Sequence, residues 1–298
     1  AAMACAAAGM SILGKKGQQS VFRETKNDSD PVFSTSFFSA RLRLDLYTRI
    51  RQKNASFWCL RAKITASEIR SGMADRRAKQ IRWQKFVAWV EKHAGARRLY
   101  RGVGDADNHN LKPSLGRLPA DNPAQRLAIE KELLDRFRAR AREFFDITNH
   151  TETDVIALAQ HHGVPTRLLD WTYNPFIAAY FAVTSPTQTQ GGCARVYTVM
   201  PPKPVAGDLA KVSEVGLIEP AAVTRRIVSQ KGVFTYHPDC ESEWVPENDP
   251  EPESFDIEWE MCQYFEQRLA MYGVDAAHVM ADFDGMCESI KKDVTWRQ

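Results

Sequence analysis

The stretch Gln160–Ala182, QHHGVPTRLLDWTYNPFIAAYFA, sets polar chemistry against a hydrophobic wall, and the rest of the chain is read outward from it. Just upstream, Thr151 and Asp154 have the spacing of a capping box, so a helix is expected from Thr151 through DVIALAQHH. Gly163 suits a left-handed cap position and Pro165 cannot continue a helix. His161 and His162 therefore fall in the last turn, where the helix dipole favours cationic imidazole. TRLLDWT, bounded by Pro165 and Asn174-Pro175, reads as a strand. Asn174 caps the next helix and Pro175 opens it. PFIAAYFAV is apolar nearly all round, which predicts a buried helix. The polar cluster thus sits where a helix end, a strand and a helix start meet a core. Charges placed there must be paired or hydrogen-bonded, because desolvating them alone is costly. A concave site and a structural ion-pair network both meet that condition.

Further upstream, Trp83, Phe86, Val87 and Val90 share one helical face, and Gly95 is expected to end that helix. RRLYRGVG is a short strand candidate containing Tyr100-Arg101-Gly102, and the GDADNHNLKPSLGR that follows is loop-like. A long helix opens at Asn122-Pro123, with Leu127, Leu134, Phe137, Ala141 and Phe144 as its core stripe to about Phe145. Its Arg136, Arg138, Arg140 and Arg142 read as a wet face rather than a nucleic-acid surface. CARVYTVM at 193–200 and GVFTYH at 232–237 are further strands. The acidic, proline-containing run Asp239–Glu260 reads as a solvated loop leading into a helix near Ile257. His237 and Cys240 lie close in sequence but lack the second pair a zinc site needs. Asp282 and Asp284 are taken to start the last helix, DGMCESIKK.

Composition bounds the class. The 298 residues are 44% hydrophobic and 26% charged, ordinary values for a globular chain with a sizeable core. No apolar run reaches the length of a membrane span, so no membrane partner is expected. The 6 cysteines include no C-x-x-C, which points to a reducing, cytoplasmic setting rather than a disulfide framework. Residues 1–120 carry 23 Lys+Arg against 9 Asp+Glu, a basic front half that can attract nucleic acid or another polyanion. A solvated tail with ordinary helix faces accounts for it equally. Residues 1–72 lack sustained periodicity and read as a tail or peripheral segment, without the basic n-region of a signal peptide. The organised domain is expected over 73–298. Walker A, nucleophile-elbow and zincin motifs are absent from the sequence.

Four blocks in order resemble one family. Tyr100-Arg101-Gly102 with LKPSLGR is similar to the opening of the FRG domain, named for its Phe/Tyr-Arg-Gly motif. Gln160–Thr172 resembles its central signature, Arg226-Ile227 with Gln230, Gly232 and Phe234 a later block, and DFDGM at Asp282–Met286 its closing one. The resemblance spans residues 76–292 and departs at Phe283 and Met286, where leucines are usual, and at Tyr236, where a small apolar residue is common.

The resemblance implies an α+β fold, a small mixed or split β-sheet flanked by helices and similar to ADP-ribosyltransferases. It also implies a bacterial or phage chain in a toxin or defence setting. By analogy, NAD would be the substrate and a macromolecule the acceptor. Arg101 then suits phosphate, because guanidinium gives bidentate contacts. Tyr100 or Trp171 would stack on a ring. His161 or His162 would bind ribose or act as acid or base, and Gln230 would touch ribose or substrate. Gly102, Thr166, Arg167, Thr172 and Arg226 enter as ligand-binding residues on the motif alone. The transferases' glutamate has no clear counterpart, and Asp170, Glu241 or Glu243 are its candidates. Structural readings stand beside these: Arg101 pairing with Asp170, Asp170 capping a turn, Trp171 in the core, and Gly102, Gly163 and Gly232 as backbone requirements. Two other functions stay open: a nucleotide- or ligand-binding sensor without turnover, and a nucleic-acid binder.

Overall fold

The computed structural model describes residues 66–144, 146–185, 187, 190–220, 225–246 and 253–296. Most of the expected tail, residues 1–65, lies outside them. By internal contacts the chain divides between Ala66 and Ser67, and the second unit holds the sheet.

Among the described residues, eight α-helices surround one sheet. The helices are α1 (Ala66–Lys92), α2 (Pro123–Ala141), α3 (Glu152–His161), α4 (Pro175–Thr184), α5 (Arg225–Gln230), α6 (Trp259–Met271), α7 (Ala276–Met280) and α8 (Phe283–Trp296). The strands are β1 (Leu99–Val103), β2 (Leu168–Thr172), β3 (Cys193–Val199), β4 (Gly216–Ile218), β5 (Gly232–Tyr236) and β6 (Glu253–Glu258). They lie in the order β4-β5-β2-β1-β3-β6, and every strand pair is antiparallel. The α+β class therefore holds, while the mixed sheet is corrected to an antiparallel one. An isolated parallel bridge, Pro204 to Leu217, is its only parallel pairing among the described residues.

The sheet is not uniformly zipped. β1 pairs with β3 over five residues, and β2 pairs with β5 over five. β1 and β2 meet at a single register pair, Tyr100 with Thr172. The sheet is thus two three-stranded halves joined at a narrow seam. On one face, Tyr100, Val196 and Ile257 pack against α1, α4 and α6 through Phe86, Ile177 and Phe265. On the same face of the other half, Leu168, Phe234 and Tyr236 pack against Leu134, Ile156 and Ala159 of α2 and α3. Leu99, Val103, Leu169, Trp171 and Val233 point to the opposite face, where Leu111 and Trp244 from loops cover them.

Local chemistry explains the elements. Thr151 Oγ1 accepts from Asp154 N–H while the Asp154 carboxylate accepts from Thr151 N–H, the full capping box. Asn174 caps α4 through Phe176 N–H, with Pro175 at the first helical position, and Ile177, Ala178, Ala179, Tyr180, Ala182 and Val183 are buried. Gly163 has φ +83° just past α3, the left-handed position expected of it. Asp282 accepts from Gly285 N–H and starts α8.

Two expectations are corrected. The buried face of α2 is Arg126, Glu130, Leu134 and Ala141, and the helix ends at Ala141. Leu127 and Phe144 are exposed instead. Leu134 and Ala141 are buried as expected, while the start of the face is carried by ion-paired residues: Arg126 bonds Glu241 at 2.9 Å and Glu130 takes Arg167. Within the acidic run, Glu253–Glu258 is the edge strand β6, with Phe255 and Ile257 buried between acids. His237, close to Cys240 in sequence, shares a hydrogen with the Thr235 hydroxyl at 2.7 Å and sits edge-on to Trp244.

Candidate functional site

A cavity of about 360 Å3 opens over the seam between β1 and β2. Its walls come from both sheet halves, from the end of α3, and from α4, α5 and Met280 at the end of α7. Of the twelve residues expected at the site, nine line it: Tyr100, Arg101, Gly102, His161, Asp170, Trp171, Thr172, Arg226 and Gln230.

The walls are built by close fits. A Cβ on Gly102 would stand 1.8 Å from the Ala178 carbonyl oxygen, so glycine lets α4 lie directly on β1. Thr172 is buried and clamps a corner: its hydroxyl donates to the Gln230 carbonyl at 2.6 Å and accepts from Asn174 N–H at 3.0 Å. The Gln230 amide donates to the Val279 carbonyl at 3.0 Å, tying α5 to α7. Thr172 and Gln230 therefore shape the cleft through bonds that are already made.

The charges are arranged differently. Arg101 reaches across the seam. Its Nη1 donates to the Asp170 carbonyl at 2.8 Å and lies 3.5 Å from Oδ2 of the same residue. Its Nε is buried without a hydrogen-bond partner. Arg226, at the start of α5, also has a buried Nε without one. Its guanidinium has no ion pair or hydrogen bond among the described residues. A half-exposed guanidinium with a buried Nε and no carboxylate beside it marks a place where an anion would be stabilised.

His161 faces the same cleft. Burial first, then Arg226 and His162, push its pKa down to about 4, against a small opposing effect of Asp170. The cationic imidazole expected from the helix dipole is thus corrected to a neutral one near pH 7. Burial and Arg226 also depress His162, which lies outside the cleft beside Phe137 and Val164.

Asp170 is the only acid among the described residues lining the cleft. Its Oδ2 accepts from Gln160 Nε2 at 2.9 Å. Thr166 fixes that amide: its hydroxyl donates to Gln160 Oε1 at 2.8 Å while accepting from Leu168 N–H at 3.1 Å. The other candidate acids lie elsewhere, Glu241 on Arg126 and Glu243 accepting from Asn110.

The structure does not bring Thr166, His162 or Arg167 into the cleft. Arg167 pairs with buried Glu130 and bonds the Tyr236 hydroxyl at 3.2 Å, so its guanidinium serves the α2–sheet packing. The aromatic platforms also shift. Tyr100 is buried in the core, which pushes its phenol up, and the Trp171 indole donates to Thr235 at 2.8 Å with its ring against Trp244. Phe181, half-buried on α4, is the less buried ring in the cleft wall. Sequence reasoning missed it because PFIAAYFAV is apolar throughout and gives no facing signal.

No curated protein and no solved structure matches the chain. The family model of the FRG domain matches residues 96–191. That span holds Arg101, Gly102, Gln160, His161 and Asp170, and leaves Arg226 and Gln230 beyond it. The Tyr100-Arg101-Gly102 strand and the Gln160–Thr172 signature that meet at the seam both lie within this match, so residues 96–191 carry an FRG domain.

Proposed function

We propose that the seam cleft binds NAD as a substrate and that the chain transfers its ADP-ribose to a macromolecular acceptor. The observation that carries this reading is the Arg226 guanidinium, unpaired among the described residues, in the same cleft as Arg101 and a single carboxylate. Two guanidiniums suit a pyrophosphate, which each can grip bidentately. Phe181 offers a face for a flat ring.

Asp170, oriented by Gln160, would accept a hydroxyl of the nicotinamide ribose and stabilise positive charge as it develops there. The C1′–nitrogen bond breaks with its electron pair leaving on nicotinamide. An acceptor oxygen or nitrogen then bonds C1′ and loses its proton. Phosphate bound at Arg226 would offset the charge that depresses His161 and raise its pKa towards the range of a useful base. The reading places the protein in the toxin or defence setting of a cytoplasmic enzyme.

The test is NAD binding by calorimetry together with nicotinamide release and adduct mass spectrometry, with and without bacterial lysate. Arg226→Gln is expected to weaken NAD binding by on the order of tenfold or more, with an unchanged melting temperature. Unchanged affinity in that variant rejects the assignment. A second reading rests on His161, whose depressed pKa makes it a poor base in the free protein. NAD binding with no nicotinamide release, even with lysate, would make the domain a nucleotide sensor. Binding to nucleic acid that falls steeply with salt, at a cleft indifferent to NAD, would favour the nucleic-acid reading.

A further inference from the structure

Helix α8 is attached to the domain by its polar side. Gly285 is buried so tightly that a Cβ would stand 2.5 Å from the Ala276 carbonyl oxygen. Ser289 donates to Asp275 at 2.6 Å, and Lys292 pairs with Glu266. These positions follow at helical spacing. The opposite side carries Phe283, Met286, Ile290 and Val294, which are 74%, 40%, 57% and 55% exposed. An amphipathic helix normally buries its apolar stripe and wets its polar one. Here the arrangement is reversed, and a continuous apolar stripe faces outward.

We propose that this stripe pairs with the same stripe on a second copy of the chain, the two α8 helices running antiparallel about a two-fold axis. Charge complementarity selects both partner and direction. Asp284 and Lys291 lie two turns apart on one flank of the stripe, and both are exposed. In an antiparallel pair, Asp284 of each copy meets Lys291 of the other, giving two identical ion pairs. A parallel pair would carry this flank to opposite sides of the contact in the two copies, so Asp284 and Lys291 could not meet. Lys291 also contacts Glu288 of its own helix at 3.2 Å, an exposed contact that leaves it able to reach across.

The register that matches these charges seats Phe283 between Ile290 and Val294 of the second copy. It also sets the two exposed Cys287 thiols side by side near the axis. A contact of two 14-residue helices, about 21 Å long, is at the small end of specific interfaces and implies a micromolar dimer. Its two-fold symmetry closes the assembly at two copies.

Sedimentation velocity on the full chain tests this. A reversible dimer is expected at tens of micromolar, and Ile290→Glu should leave a monomer with unchanged far-UV circular dichroism and melting temperature. Asp284→Lys and Lys291→Asp should each weaken the dimer by on the order of tenfold, and the double variant should restore it, because both ion pairs re-form reversed. A short bis-maleimide should join two copies through Cys287, with Cys287→Ser abolishing the product. A monomer at every concentration overturns the proposal. So does a dimer that survives Ile290→Glu, or a double charge swap no better than either single change.

Discussion

His161 carries the clearest pH signature of any single residue at the cleft. Its folded pKa of about 4 lies below the ordinary 6.5, so the folded chain refuses a proton that the unfolded chain accepts. The associated stability is complete above pH 6.5 and is lost as pH falls from there towards 4. His237, pushed down to about 3 by burial and Arg101, acts with the same sign. Thermal melts between pH 7 and pH 5 should therefore show a steady loss, and His161→Gln should flatten that slope. A variant with the parent's slope would remove His161 from the account. Arg101 has a mixed role at this scale. It spans the seam through a charged hydrogen bond, so Arg101→Ala is expected to lose about 2 kcal/mol as well as NAD binding. Differential scanning calorimetry separates it from Arg226→Gln, for which only binding should change.

At the scale of elements, α2 depends on an ion pair rather than on apolar contacts alone. Glu130 and Arg167 are both largely buried, with side chains 7% and 12% exposed, and their contact pins the helix to β2. Removing one partner strands the other charge, so Glu130→Ala should cost about 3 kcal/mol in a urea titration. A cost below about 1 kcal/mol would mean that water reaches Arg167 freely. This pair also explains what the sequence could and could not reveal. α3, β2 and α4 were legible because Thr151, Gly163, Pro165 and Asn174-Pro175 punctuate them by backbone chemistry that acts locally. The buried face of α2 was not, because Arg126 and Glu130 look like surface residues until their distant partners are known. β6 was hidden likewise, since Phe255 and Ile257 alternate with acids inside a strongly acidic run. In the cleft, the motif identified Arg101, His161, Asp170 and Arg226. It could not separate Thr172 and Gln230, whose hydrogen bonds are made within the fold, from groups still open to a ligand. Nor could it tell that Arg167 faces α2 while Asp170, three residues on, faces the cleft.

Over the whole domain, two well-paired half-sheets meet where backbone pairing is thinnest, and the cleft is built over that line. A guanidinium stands in for missing ladder bonds, since Arg101 satisfies the Asp170 carbonyl. Breathing of the domain should therefore concentrate there. Amide deuteration followed by mass spectrometry should label β2 and the outer edge of β1 sooner than the β1–β3 interior, and NAD should slow that labelling. Uniform protection across all six strands would contradict the seam. The same discontinuity bears on the order in which the molecule assembles. Strands of the two halves alternate along the chain, so neither half is complete until most of the chain has been laid into both. A ligand held by Arg101 on one half and Arg226 on the other would act as a rivet, tightening a joint that the polypeptide itself leaves loose.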